Sequence, residues 1–256
     1  TPGPGLTPSP SASGGQTQSP TSLPTRRPTL FPTIAPIVPT VPPTQAPTIS
    51  CTADKESYFR SVLSPITDES ILLDPSTPQG MAYQFVLNDP YLENPCGKRV
   101  DQRYGLATLY YATNGESWKN NEGWLEPVDE CTWAGVTCND FKVVTELLLA
   151  INGLDGEIPN EILTLVGLRE LDVFANTIRG TIPDGFSQLV DLRVLDLQEN
   201  LLSGPAFPSS ILELRRLQSY RINSNSLTGE IPTRIGSLRA LQELWAAGNK
   251  ITGTLP

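Results

Sequence analysis

No histidine occurs among the 256 residues. Its absence excludes Ser-His-Asp hydrolases, histidine-assisted cysteine proteases, HExxH metalloproteases and histidine-ligated zinc or haem together. Cations are also scarce: 18 Lys and Arg against 27 Asp and Glu give a formal net charge of −9. Within the first fifty residues the only charged side chains are Arg26 and Arg27, so the remainder is more acidic still. Such a body repels phosphate backbones and anionic headgroups, and neither nucleic acid nor a membrane surface is an expected partner. No run of about eighteen apolar residues is present that could serve as a spanning helix. There are only four cysteines, Cys51, Cys96, Cys131 and Cys138, and none forms CxxC. That spacing disfavours a zinc ribbon or a thioredoxin-like centre and favours disulfides in an oxidising compartment. Three connectivities are open. Cys131–Cys138 is the easiest to defend because its short loop closes readily, which leaves Cys51 with Cys96. No cofactor or metal is expected.

What is present falls into three segments. Residues 1–50 hold 13 of the 25 prolines, with ten threonines, six serines and no acid. Each proline fixes φ and removes a backbone donor, so a disordered, extended stalk or linker is expected, with hydroxyls suited to O-linked glycans. Residues 51–142 read as a helical lead-in and cap. Asp54–Leu63 places Tyr58, Phe59 and Leu63 on roughly one helical face, and Thr77-Pro78-Gln79 forms a start signal for a second helix. Asp101–Thr113 predicts a third, stopped by Asn114-Gly115. Trp118, Trp124 and Trp133 surround the Cys131/Cys138 loop and read as a small aromatic core.

Residues 143–256 are repetitive. Asn152, Asn176, Asn200, Asn225 and Asn249 recur at spacings of 24, 24, 25 and 24, with Gly156, Gly180, Gly204, Gly229 and Gly253 in the same phase. The extra residue falls in GPAFP, between Gly204 and Pro208. A period near 24 is one coil of a solenoid. Leu147/Leu149, Leu171/Val173, Leu195/Leu197 and Tyr220/Ile222 predict short strands with their apolar face inward. The asparagine ending each strand predicts an amide ladder that satisfies backbone groups of the neighbouring coil.

The unit LxxLxLxxNxLxGxIP resembles the plant-specific leucine-rich repeat, and RYGLATLYYATNGESW…WL…CTWAGVTC resembles the N-terminal cap of that family, over residues 96–256. The stretch TPQ…NDP…PC is similar to leucine-rich-repeat surface proteins of diatoms and extends the likeness to about residue 76. The resemblance implies an α/β solenoid, a curved array with parallel strands on its concave face and a small helical cap. It also implies a Cys131–Cys138 bond and an extracellular or lumenal recognition role. The chain starts at Thr1 and stops at Pro256 in mid-unit, without a C-terminal cap, so it is expected to be a truncated piece of a longer protein.

Register then assigns the solvent-facing columns of the concave face: Leu148, Asp172, Asp196, Arg221, Trp245 and, beside it, Ala150, Phe174, Gln198, Asn223, Ala247. Exposed aromatics among polar neighbours are recognition anchors. The expected ligand-binding set is therefore Asp172, Phe174, Asp196, Gln198, Arg221, Asn223 and Trp245, for an extracellular peptide, protein or glycan. The leading reading is a non-catalytic ectodomain of a membrane-anchored, receptor-like surface protein, its anchor lying outside this segment. The alternative is a secreted enzyme inhibitor or cell-wall adhesion protein. A remote third reading pairs Asp172 with Asp196 as glycosidase carboxylates, which an open face does not support because nothing there raises one pKa for acid duty.

Overall fold

The computed structural model describes residues 50, 51 and 54–256. Residues 1–49, which carry almost all of the stalk expectation, lie outside the described residues.

The lead-in contains helices α1 (Lys55–Leu63), α2 (Glu69–Leu72) and α3 (Pro78–Asn88), followed by α4 (Val100–Ala112). Local sequence explains their starts. Asp54 accepts from Ser57 N at 2.9 Å ahead of α1, and Thr77 accepts from Gly80 N at 3.0 Å ahead of α3, with Pro78 at the first helical position. Asn114 stops α4 in the left-handed region, at φ 55°. The pattern of α4 predicts one apolar face, but the helix is buried nearly all round, from Gln102 to Tyr110. The reason is that it lies between two cores. Tyr104 and Ala107 pack with Phe59, Leu63 and Val86 of the lead-in, while Leu106, Leu109 and Tyr110 join the core of the repeats. Contact with the first repeat is close. A Cβ on Gly105 would stand 2.5 Å from the carbonyl oxygen of Glu161.

The repeats build one six-stranded sheet from β1 (Val136–Cys138), β2 (Val144–Leu148), β4 (Glu170–Asp172), β6 (Val194–Asp196), β7 (Ser219–Arg221) and β9 (Glu243–Trp245), in that order. The β1–β2 pair is antiparallel and every later pair is parallel. Its register follows the repeat: Leu147, Leu171, Leu195, Tyr220 and Leu244 are partners across the sheet. Because β1 pairs with β2, the cap contributes a strand to the same sheet. A second ladder runs after the asparagines, with β3 (Asp155–Glu157) on β5 (Thr177–Arg179) and β8 (Thr228–Glu230) on β10 (Lys250–Thr252). Between those pairs only isolated bridges remain, Thr181 with Ser203 and Pro205 with Thr228. The interruption coincides with GPAFP, whose Pro205 lacks the N–H a ladder needs.

The inward strand side chains share one core with Ile162, Phe186 and Ile211 from the short 3₁₀ turns, all three fully buried. Leu244 and Ile251 of the fifth coil are half-buried.

The asparagines bond between coils. Asn176 Oδ1 accepts from Asn152 N and Leu154 N, both at 3.0 Å, and its Nδ2 donates to Leu149 O and Val173 O at 2.9 Å. Asn152 does the same for the cap, accepting from Asn120 N at 2.7 Å. Asn200, Asn225 and Asn249 accept from Ile178 N, Leu202 N and Leu227 N in turn.

Two disulfides are formed, Cys51–Cys96 and Cys131–Cys138. Trp118, Trp124 and Trp133 are buried, with successive ring centroids 4.8 and 5.0 Å apart. Beside them lies a buried ion cluster that the sequence pattern does not announce. Arg103 of α4 donates to Asp89 at 2.6 Å and to Glu130 at 3.0 Å, and also to the carbonyls of Glu126 and Val128 at 2.8 Å. Its guanidinium stands 4.7 Å from the rings of both Tyr91 and Trp133. Neighbouring Gln102 donates to Glu130 at 3.0 Å and accepts from Val144 N at 2.8 Å. Lead-in, cap and first repeat strand are thereby tied together.

Candidate ligand-binding face

The face opposite the buried strand residues is built by alternation: Leu147, Leu171, Leu195 and Tyr220 point into the core, so their strand neighbours point out. The central column runs Leu148, Asp172, Asp196, Arg221, Trp245, in register across β2, β4, β6, β7 and β9. At one end Trp245 is 50% exposed. Phe174, Asp172, Arg221 and Asn223 are half-buried.

Asp196 and Gln198 depart from the solvent-facing expectation, at 4% and 8% exposure. The cause is local pairing. Gln198 Nε2 folds back onto both oxygens of Asp196 at 2.8 Å, the Gln198 backbone N–H adds a bond at 3.2 Å, and Arg221 of the next strand closes over at 3.3 Å. Column register places these residues correctly on the outer side, but it cannot foresee that neighbouring polar side chains cover one another. The same pairing bears on the glycosidase reading, because both Asp196 oxygens are held by protein donors. Among the described residues the ion pair to Asp196 comes from Arg221, and neither Arg169 nor Arg193 pairs with either aspartate.

Electrostatically the face has two halves. Arg221 anchors one: it donates to Glu243 at 2.7 and 3.2 Å and lies 5.0 Å from the Trp245 ring. The hydrogen bonds from Arg221 and then Ser219 hold the Glu243 carboxyl below its ordinary pKa, and Glu243 in turn raises that of Arg221. In the other half Glu146, Glu170 and Asp172 gather without a cation of their own. Glu146 and Glu170 are direct partners across β2 and β4. Burial, and then repulsion from Glu146 and Asp172, push the Glu170 carboxyl up. Burial also raises Asp172, against a hydrogen bond from Phe174 N at 2.9 Å, which corrects the expectation that nothing on this face raises a carboxyl pKa. Glu146 and Glu170 belong to this half although the expected binding set omitted them. Their shared 24-residue column was the signal.

A sign follows for pH. A carboxyl whose folded pKa is raised holds its proton longer in the folded than in the unfolded chain, so its ionisation opposes folding. Asp172→Asn keeps the acceptor for Phe174 N and removes the charge. It should raise the thermal midpoint at pH 7, and the gain should fade as the pH falls through the carboxylate range. Melting curves at pH 3 and pH 7 check this; an unchanged difference at both would refute it.

A leucine-rich-repeat family model matches residues 167–189. Among solved structures, a chain of the BIR3–SERK2 complex from Arabidopsis thaliana superposes with a TM-score of 0.50 at 29% identity, covering 58% of this chain and 84% of that one. The BIR2 ectodomain of the same plant gives 0.51 at 27% identity, covering 61% and 82%. The fold is a leucine-rich-repeat solenoid. In these terms the two-halved face is the concave side of the leucine-rich repeats, and the asparagine ladder and inward apolar side chains are the frame beneath it.

Proposed function

We propose that this chain is a non-catalytic, extracellular recognition module, the ligand-binding ectodomain of a membrane-anchored surface protein. Residues 1–50 would serve as a spacer. Its ligand is a peptide or protein segment carrying a basic group. The observation that carries this reading is the acidic half of the concave face, Glu146, Glu170 and Asp172, which forms no ion pair among the described residues, with the aromatic anchor Trp245 at the far end of the same sheet. An arginine or lysine of the ligand would neutralise the carboxylates, and an apolar or planar group would lie against Trp245 or Phe174. Two disulfides support an oxidising compartment. The solved BIR3–SERK2 complex supports a protein partner, since a similar solenoid there is assembled with another protein.

Trp245→Ala and Phe174→Ala should leave the thermal transition within a few degrees of the wild type, because neither ring is part of the buried core. Each should weaken binding of a basic peptide selected against the wild-type chain by about tenfold, the scale of an interface anchor. Affinity should also rise with pH as Glu170 and Asp172 ionise. Calorimetric titrations at pH 4 and pH 7 measure both effects. Selection of acidic peptides only, or indifference to both aromatic substitutions, would sink the reading.

A further inference from the structure

Five arginines stand along the N-terminal edge of the parallel strands. Arg169 and Arg193 immediately precede β4 and β6, Arg215 and Arg216 lie ahead of β7, and Arg239 lies ahead of β9. All five are exposed. The backbone places them on successive coils: Arg193 N donates to Arg169 O at 2.8 Å, and Gln218 N to Arg193 O at 2.7 Å. Arg215 and Arg239 occupy equivalent positions of adjacent units, 24 residues apart.

Within this row only Arg216 makes an ion pair among the described residues, with Asp191 of the preceding coil. The pairs Arg169/Arg193 and Arg215/Arg239 have no acidic partner, although the chain carries nine more acidic than basic residues. Neighbouring coils are about 4.8 Å apart, and like charges on adjacent strands destabilise. Two such pairs on one edge of an acidic protein serve neither packing nor folding, since every side chain involved is exposed.

We propose that this edge binds an acidic polysaccharide of the polyuronate type, its carboxylates seated between Arg169 and Arg193 and between Arg215 and Arg239. Asp191 shows the mode from within the chain: its carboxylate already occupies the corresponding place against Arg216. Guanidinium forks match carboxylates in paired hydrogen bonds. A polymer with one carboxylate on each sugar ring presents them in a row, as the coils present arginines. The disulfides place the chain where carboxylated glycans, rather than nucleic acids, are the available polyanions. At about 0.1 M salt screening confines fields to about 10 Å, so distant acids of the chain contribute little, while Glu170 beside Arg169 makes the Arg169/Arg193 seat weaker than the Arg215/Arg239 seat. Arg169 and Arg193 flank the acidic column of Glu146 and Glu170, but none of the five arginines belongs to the peptide-binding set, so the inference does not depend on the peptide ligand proposed above.

The test is calorimetric titration of the whole chain at about 0.1 M salt with alginate oligosaccharides, with dextran, and with heparin oligosaccharides of matched charge. Alginate should bind and dextran should not. The double variants Arg169→Glu/Arg193→Glu and Arg215→Glu/Arg239→Glu should each weaken alginate about tenfold or more. Lys119→Glu/Lys250→Glu makes the same change in net charge at exposed positions off this edge and should bind as the wild type does. Circular dichroism verifies that each variant is folded; if a glutamate pair unfolds, Arg169→Gln/Arg193→Gln replaces it. The proposal is overturned if the wild type ignores alginate, if the lysine variant loses as much as the arginine variants, if the arginine variants bind normally, or if heparin binds more tightly than alginate.

Discussion

Replacing Arg103 with methionine is expected to destabilise the protein by about 3–5 kcal/mol, the scale of an orphaned buried charge. Asp89 and Glu130 are nearly inaccessible and take their charged hydrogen bonds from this one guanidinium. Without it two carboxylates remain in a site walled by Tyr91, Phe85 and Trp133. Urea unfolding at pH 7 measures the deficit. The triple variant Arg103→Met/Asp89→Asn/Glu130→Gln should recover part of the loss. A deficit of less than about 1 kcal/mol at pH 7, typical of an exposed pair, would mean that the cluster is hydrated and does not tie the lead-in to the repeats.

Asn176→Ala should come close behind, at about 3–5 kcal/mol, because it leaves several buried backbone groups without partners at once. The N–H groups of Asn152 and Leu154 lose their acceptor, and the Leu149 carbonyl loses its donor. Val173 O keeps a bond from Asn200 at 3.0 Å, so the damage lies toward the preceding coil. Asn249→Ala makes a useful comparison, as that residue is half-buried where Asn176 is buried. Its loss should be well below that of Asn176, since water can reach the freed groups. Equal losses at the two positions would show that the ladder is not a buried network. Neither substitution touches a solvent-facing column, and a chain that remains folded should retain its ligand affinity.

The two proposed surfaces lie on one sheet and follow from its alternation. Side chains pointing out from the strand centres form the concave columns, and those at the strand starts form the arginine edge. Acidic character gathers at Glu146, Glu170 and Asp172, and basic character gathers along the edge, so the sheet is electrically divided. A basic protein segment and an acidic glycan could be held at once without competing for the same side chains.

Much of this was legible in the sequence. The 24-residue period of asparagine, glycine and proline determined the solenoid, the strand register and the inward leucines, because a coil that cannot bury its own apolar face must stack on its neighbours. The start signal at Thr77-Pro78 and the stop at Asn114 marked two helix ends, since each satisfies or permits a specific backbone geometry, whereas Asp54, read as part of the first helix, turned out to cap it. Register alone also placed Leu147, Leu171, Leu195 and Tyr220 on the buried side of their strands.

What it could not decide was how outward polar groups meet one another. The covering of Asp196 by Gln198 and Arg221, the joining of Glu146 and Glu170 to Asp172, and the convergence of Asp89, Gln102, Arg103 and Glu130 all depend on distances between residues far apart in the chain. The burial of α4 on every side belongs to the same class, because a single helix read alone cannot reveal that it serves two cores. Periodicity encodes a local repeating backbone and the side each residue faces; pairing and burial are settled only when separate segments pack.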